Sequence, residues 1–118
     1  MRIFAVSDVH VDYEENAQWV RDLSSYDYQN DCLILAGDVS DVLSRLAECF
    51  EQLERKFHHV FFVPGNHDIW VNKKAPFCSL EKFDHVLNLA NDCGVLTQHA
   101  KIGEYTFVPI YSWYDYSF

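Results

Sequence analysis

The chain has 118 residues, nearly half of them apolar, and a formal net charge of −9. That length suits one domain with a buried core. Its nine Lys and Arg are scattered through the sequence, which argues against a surface built to neutralise a nucleic-acid backbone.

The first apolar run, Arg2 to Val6, suits a buried strand and is too short for a signal-peptide core; no later stretch could span a bilayer. Glu14 to Ser25 carries Ala17, Val20 and Leu23 at helical spacing. Cys32 to Ala36 is a second buried run. Ser40 to Lys56 then repeats Leu43, Leu46, Phe50 and Leu53 along one helical face that continues to Phe57, with Ser40 or Asp41 placed to cap the start. Val60 to Val63 is the third apolar run. After a loop with Pro64, Gly65 and Pro76, Ser79 opens a helix in which Leu80, Phe83, Leu87 and Ala90 line one side and Gly94 is the stop. Val95 to Phe118 reads as short strands with a turn at Gly103-Glu104 and an aromatic end.

Apolar strands separated by helical crossovers predict a parallel βαβαβ sheet of the layered α/β class with helices on its faces, covered on each side. Ligand sites in such sheets collect at the carboxyl ends of the strands. Those ends read Ser7-Asp8-Val9-His10, Gly37-Asp38-Val39-Ser40-Asp41 and Gly65-Asn66-His67-Asp68. Residues two apart in an extended segment point the same way, so Asp8 and His10 are expected to grip one ion together. Asp38 can bridge two cations through its two oxygens, and Asn66 adds a neutral carbonyl oxygen. Such mixed oxygen and nitrogen ligands suit manganese, iron, zinc or related ions better than calcium. Gly37 and Gly65 permit turns or close approaches. Taken singly, Asp8 could be a cap, His10 a surface histidine, and Asp38 and Asn66 turn residues. Their convergence on one sheet edge favours metal chemistry. His58, His59, His85 and His99 read as ordinary strand, helix and loop residues.

These blocks, in this order, resemble the calcineurin-like metallophosphoesterase superfamily, whose D-x-H, G-D-x-x-D and G-N-H-D/E motifs they match over residues 8 to 68. The resemblance implies the first half of a four-layer αββα sandwich. It implies a phosphoesterase acting on monoesters or diesters by attack of metal-activated water at a dinuclear site, without a covalent intermediate. Asp8 and His10 would hold the first metal, Asp38 would bridge, and Asn66 would hold the second; manganese leads, with iron, zinc, nickel or cobalt as alternatives. His67 would contact the phosphate and assist the leaving group, with Asp68 orienting its ring, and Asp41 would support the ligands rather than ligate.

The resemblance breaks down beyond Asp68. No Gly-His-x-His block occurs, since neither Gly94 nor Gly103 precedes a histidine. The expectation is therefore one domain over residues 1–118, incomplete at its C-terminus, which pairs with a missing segment or self-associates. The alternative is a noncatalytic module of the same fold that engages a protein partner. A phosphorylated substrate is the expected ligand, with no membrane and no nucleic-acid backbone among its partners. Cys32, Cys49, Cys78 and Cys93 form no C-x-x-C pair, and reduced thiols in a cytoplasmic protein are the favoured reading. Trp70 and the aromatics from Tyr111 to Phe118 could pack the core or wall a substrate cleft.

Overall fold

Strands joined in sequence order by right-handed crossovers place every crossover helix on one side of the sheet, and this governs the architecture. The computed structural model describes residues 1–71 and 78–112. Three parallel strands, β1 (Ile3–Val6), β2 (Cys32–Leu35) and β3 (His59–Phe62), lie in the order β1-β2-β3, with Ile3 opposite Cys32 and Cys32 opposite His59. Helices α1 (Glu14–Asp22), α2 (Leu43–Lys56) and α3 (Ser79–Asp92) contribute Val20, Leu46, Phe50, Leu53, Val86 and Ala90 to a single core with Leu33, Leu35, Val60 and Phe62.

The opposite face is covered differently from the two-sided expectation. Ile3 and Ala5 are exposed there, so β1 alternates where a strand buried on both faces had been expected. Cover exists over β3 instead. After α3 the chain returns beside β3, where Leu96 N–H donates to the Val60 carbonyl at 2.8 Å and Phe62 N–H to the Leu96 carbonyl at 2.9 Å. It then forms a hairpin of β4 (Ala100–Ile102) and β5 (Tyr105–Phe107) around Gly103, and Phe107 stacks on Phe61 with ring centroids 4.2 Å apart.

Three local expectations shift. Helix α1 ends at Asp22 rather than Ser25 because Ser24 Oγ accepts from the N–H groups of Tyr26 and Asp27, turning the chain, while Lys56 Nζ donates to the carbonyls of Val20 and Arg21. Helix α2 starts at Leu43 without a side-chain cap, since the Ser40 hydroxyl donates to Asp12 and accepts from Val42 N–H. The buried stripe of α3 is Lys82, Val86 and Ala90, leaving Leu80 exposed. Gly94 closes that helix in a left-handed conformation as expected. Pro76 and the aromatics Trp113 to Phe118 lie outside the described residues.

Candidate metal centre

The β1–β2 pairing continues past both strands into the loops. Asp8 N–H donates to the Gly37 carbonyl at 3.0 Å, His10 N–H to Asp38 at 3.1 Å and Val11 N–H to Val39 at 2.9 Å. Yet the backbone is not extended there. Asp8, His10 and Asp38 sit in the left-handed region with φ of 57°, 43° and 57°. Few non-glycine residues adopt it, although Asp and His are enriched among those that do. Asp8 and His10 thus come together through left-handed turns rather than by strand alternation, with His10 Nε2 3.6 Å from Asp8 Oδ1. Close approach of the second and third loops needs both glycines: a Cβ on Gly37 would stand 2.7 Å from Gly65 N, and one on Gly65 would stand 2.3 Å from Asp38 Oδ1.

At this edge His10, Asp38 and His67 offer donor atoms that all lie within 4.8 Å of one another. His67 opens a short 3-10 turn (His67–Ile69) after β3. Its backbone N–H donates to Asp38 Oδ1 at 3.0 Å, and its Nδ1 lies 3.1 Å from Asp38 Oδ2. That Nδ1 is buried without a well-aligned hydrogen bond. A buried nitrogen of this kind, beside a carboxylate and a second imidazole, fits a divalent cation of the manganese, iron or zinc type. Asp8 flanks the cluster with a mostly exposed side chain, and Ser7 Oγ donates to it. That hydroxyl, with lesser help from Asp38 and His10, holds the Asp8 carboxyl below the usual range against the opposing effect of burial. Asn66 precedes the turn and is exposed, its side chain making no capping bond. Beside the cluster lies a cleft of about 370 Å³ lined by His10, Asp12, Tyr13, Ser40, Asp41, His67 and Trp70.

Asp68 corrects the expectation that it orients the His67 ring. Its side chain is fully buried, and both oxygens are taken up by backbone amides: Asp38 and Gly65 donate to Oδ2, Val39 and Ser40 to Oδ1, at 2.7 to 3.0 Å. Burial raises its carboxyl above the usual range while these four amides pull the other way. The carboxylate shapes the loop that presents Asp38. Sequence reasoning also missed Asp12, which accepts from Ser40 Oγ and Arg45 Nη1 and joins the first site loop to the start of α2. Lys82 was missed as well. Its ammonium is buried and donates to the carbonyls of Asp41 and Trp70. The available signal was a lysine on the same helical stripe as Val86 and Ala90.

The family model described as calcineurin-like phosphoesterase matches residues 1–116. The chain belongs to the calcineurin-like phosphoesterase family. The chain is 32% identical over 127 residues to the acyl-carrier-protein phosphodiesterase PptH of Mycobacterium tuberculosis, a match covering 98% of this chain and 38% of that protein. It is 30% identical over 95 residues to the uncharacterized protein L509 of Acanthamoeba polyphaga mimivirus, covering 74% of this chain and 34% of L509. The crystal structure of the M. tuberculosis phosphopantetheinyl hydrolase PptH superposes with a TM-score of 0.80 at 28% identity, over 98% of this chain and 44% of that one. The chain therefore spans less than half the length of these relatives.

Proposed function

We propose that this chain forms one side of a metal-dependent phosphodiesterase site whose substrate is a phosphodiester of the phosphopantetheinyl kind. The observation that carries the reading is the convergence of His10, Asp38 and His67 at the ends of three neighbouring parallel strands. This is a metal-capable cluster among the described residues, and a bound cation is a natural means for a chain of net charge −9 to hold a phosphate. Asp8 and His10 would hold one divalent ion, Asp38 would bridge to a second, and Asn66 would serve the second; manganese is the leading candidate. When bound, such ions neutralise phosphoryl oxygens and supply hydroxide near neutral pH.

The protein's own groups define the remaining tasks. With Nδ1 buried beside Asp38 and the His67 side chain lining the cleft, Nε2 is the nitrogen that would face a substrate. It would hold a proton there and give it to the departing alkoxide. Asp68 keeps the Asp38 loop in shape. The names of PptH, an acyl-carrier-protein phosphodiesterase and phosphopantetheinyl hydrolase, support a diester over a monoester. Pairing with a further segment, on the same polypeptide or on another, belongs to this reading. The chain covers only 38% of PptH, and the second sheet face leaves Ile3 and Ala5 exposed.

The test is manganese titration by calorimetry together with hydrolysis of bis(p-nitrophenyl) phosphate and p-nitrophenyl phosphate. The reading expects weak metal binding and slow, EDTA-sensitive diester hydrolysis by this chain alone, both rising when the companion segment is added. Turnover that resists EDTA, or that favours the monoester, contradicts it.

A further inference from the structure

The 3-10 turn bearing His67 and the loop bearing Asp38 each end in a carbonyl that points at the same ammonium. Lys82 reaches Asp41 and Trp70, the residues three places beyond Asp38 and His67. Lys82 is only 3% exposed, and both the Asp41 and the Trp70 carbonyls face it from loops outside its own helix. A buried lysine is costly unless its donors are satisfied, and here it is held by main chain that leads directly to the metal centre. Burial pulls its pKa down, and the charges of Asp41, Asp68 and Asp12 support the ammonium form.

The consequence passes through Trp70. Its N–H donates to the His67 carbonyl at 3.2 Å, and its indole packs edge-on against the His67 imidazole with ring centroids 4.0 Å apart. The same imidazole also meets His10, with centroids 5.2 Å apart. His67 has no well-aligned hydrogen bond at its buried Nδ1, so these ring contacts bear directly on its orientation. We propose that Lys82 is a positioning residue: by gripping the Trp70 carbonyl it sets the indole that orients His67, and by gripping Asp41 it fixes that turn relative to the Asp38 loop. The consequence for turnover rests on the phosphodiesterase reading, whereas the placement of Trp70 does not.

Lys56 provides an internal control, because it too is a buried ammonium donating to two carbonyls, those of Val20 and Arg21, away from the site. In a Trp19→Phe, Trp113→Phe background, Trp70 fluorescence reports on its own surroundings. The experiment compares Lys82→Met with Lys56→Met by emission maximum, acrylamide quenching, thermal unfolding and manganese-dependent diester hydrolysis. Trp70 is already 53% exposed, so for Lys82→Met we expect its emission maximum and acrylamide quenching to move from the wild-type values as its packing on His67 loosens, and a kcat lowered about 10- to 100-fold, as for a slightly misplaced catalytic group. Lys56→Met should lose comparable stability with neither change. Unaltered Trp70 emission and quenching in folded Lys82→Met would overturn the proposal, as would altered emission with unchanged kcat. Should Lys82→Met not fold, Lys82→Gln, which keeps a donor for one carbonyl, takes its place. Failure of both to fold while Lys56→Met folds would assign Lys82 to the core alone and also overturn it. A wild-type chain without turnover would count against the phosphodiesterase reading, leaving the fluorescence to decide whether Lys82 holds Trp70.

Discussion

Asp38 meets His67 with both of its oxygens: Oδ1 accepts the His67 backbone N–H at 3.0 Å, and Oδ2 stands 3.1 Å from the imidazole Nδ1 without a well-aligned hydrogen bond. The carboxylate thus serves as a structural acceptor and as the nearest charge to the buried nitrogen. Asp38→Asn separates these uses. An amide oxygen can keep the bond to the His67 N–H, while the charge that would bridge two ions is lost. The unfolding midpoint should change little, and manganese affinity measured by calorimetry should fall by more than about 100-fold, beyond the usual loss for a residue that only supports a ligand. Wild-type affinity in the variant would remove Asp38 from the ligand set.

His67→Ala distinguishes proton donation from ligation. On the proposed mechanism the metals stay, held by Asp8, His10, Asp38 and Asn66, and turnover drops by roughly 10²- to 10⁴-fold, the range for losing a general acid or base. The same three-residue cluster could instead use His67 Nδ1 as a ligand. In that event affinity would fall in parallel with turnover, and calorimetry beside the diester assay tells the two apart.

For Asp68→Asn the expected loss is stability. An amide placed among four donating backbone N–H groups turns its own NH2 toward at least one of them and leaves donors unsatisfied. Urea unfolding should show a loss of about 3 kcal/mol, the upper end for an unsatisfied buried group. A variant as stable as the wild type would mean that the loop does not depend on this carboxylate.

The acid limb of stability is expected to depend on Asp31. The Arg2 side chain and amide donate to it and hold its carboxyl below the usual carboxylate range. The folded state therefore keeps this charge at a pH where the unfolded chain has taken up a proton. The contribution is full above the unfolded value of about 3.9 and vanishes as the pH falls through the lower folded value. Asp31→Asn should accordingly lower the urea midpoint at neutral pH, with the gap to wild type closing as the solution is acidified below about pH 4. A constant gap would exclude the linkage.

Much of this was legible in the sequence because single-residue signals coincided with backbone logic. The apolar runs marked each strand to within a residue or two, and the blocks after them named His10, Asp38 and His67 as neighbours at one edge. What stayed hidden depended on side chains bonding main chain far away in sequence. Ser40 looked like a helix cap but is occupied by Asp12, and Asp68 looked like a partner of His67 but is occupied by four amides. Lys82 gave a helical stripe rotated from the one that hydrophobicity alone suggests, since an ammonium satisfied by two carbonyls can be buried like an apolar residue. The one-sided placement of the helices follows from strand order, which periodicity does not encode.

The left-handed backbone at Asp8, His10 and Asp38 bears on which mutations the chain tolerates. Gly, Asn and Asp adopt that conformation with the least strain, whereas β-branched residues are strongly disfavoured there. A randomised library selected only for soluble, folded protein, with no metal in the medium, should therefore already be enriched in those residues at positions 8 and 38. Ligand chemistry then has few alternatives to choose among, and Asp is the member of that small set that also carries a charge. Neutral drift away from function at these positions would run through Asn or Gly, leaving a folded chain that still displays the same loops.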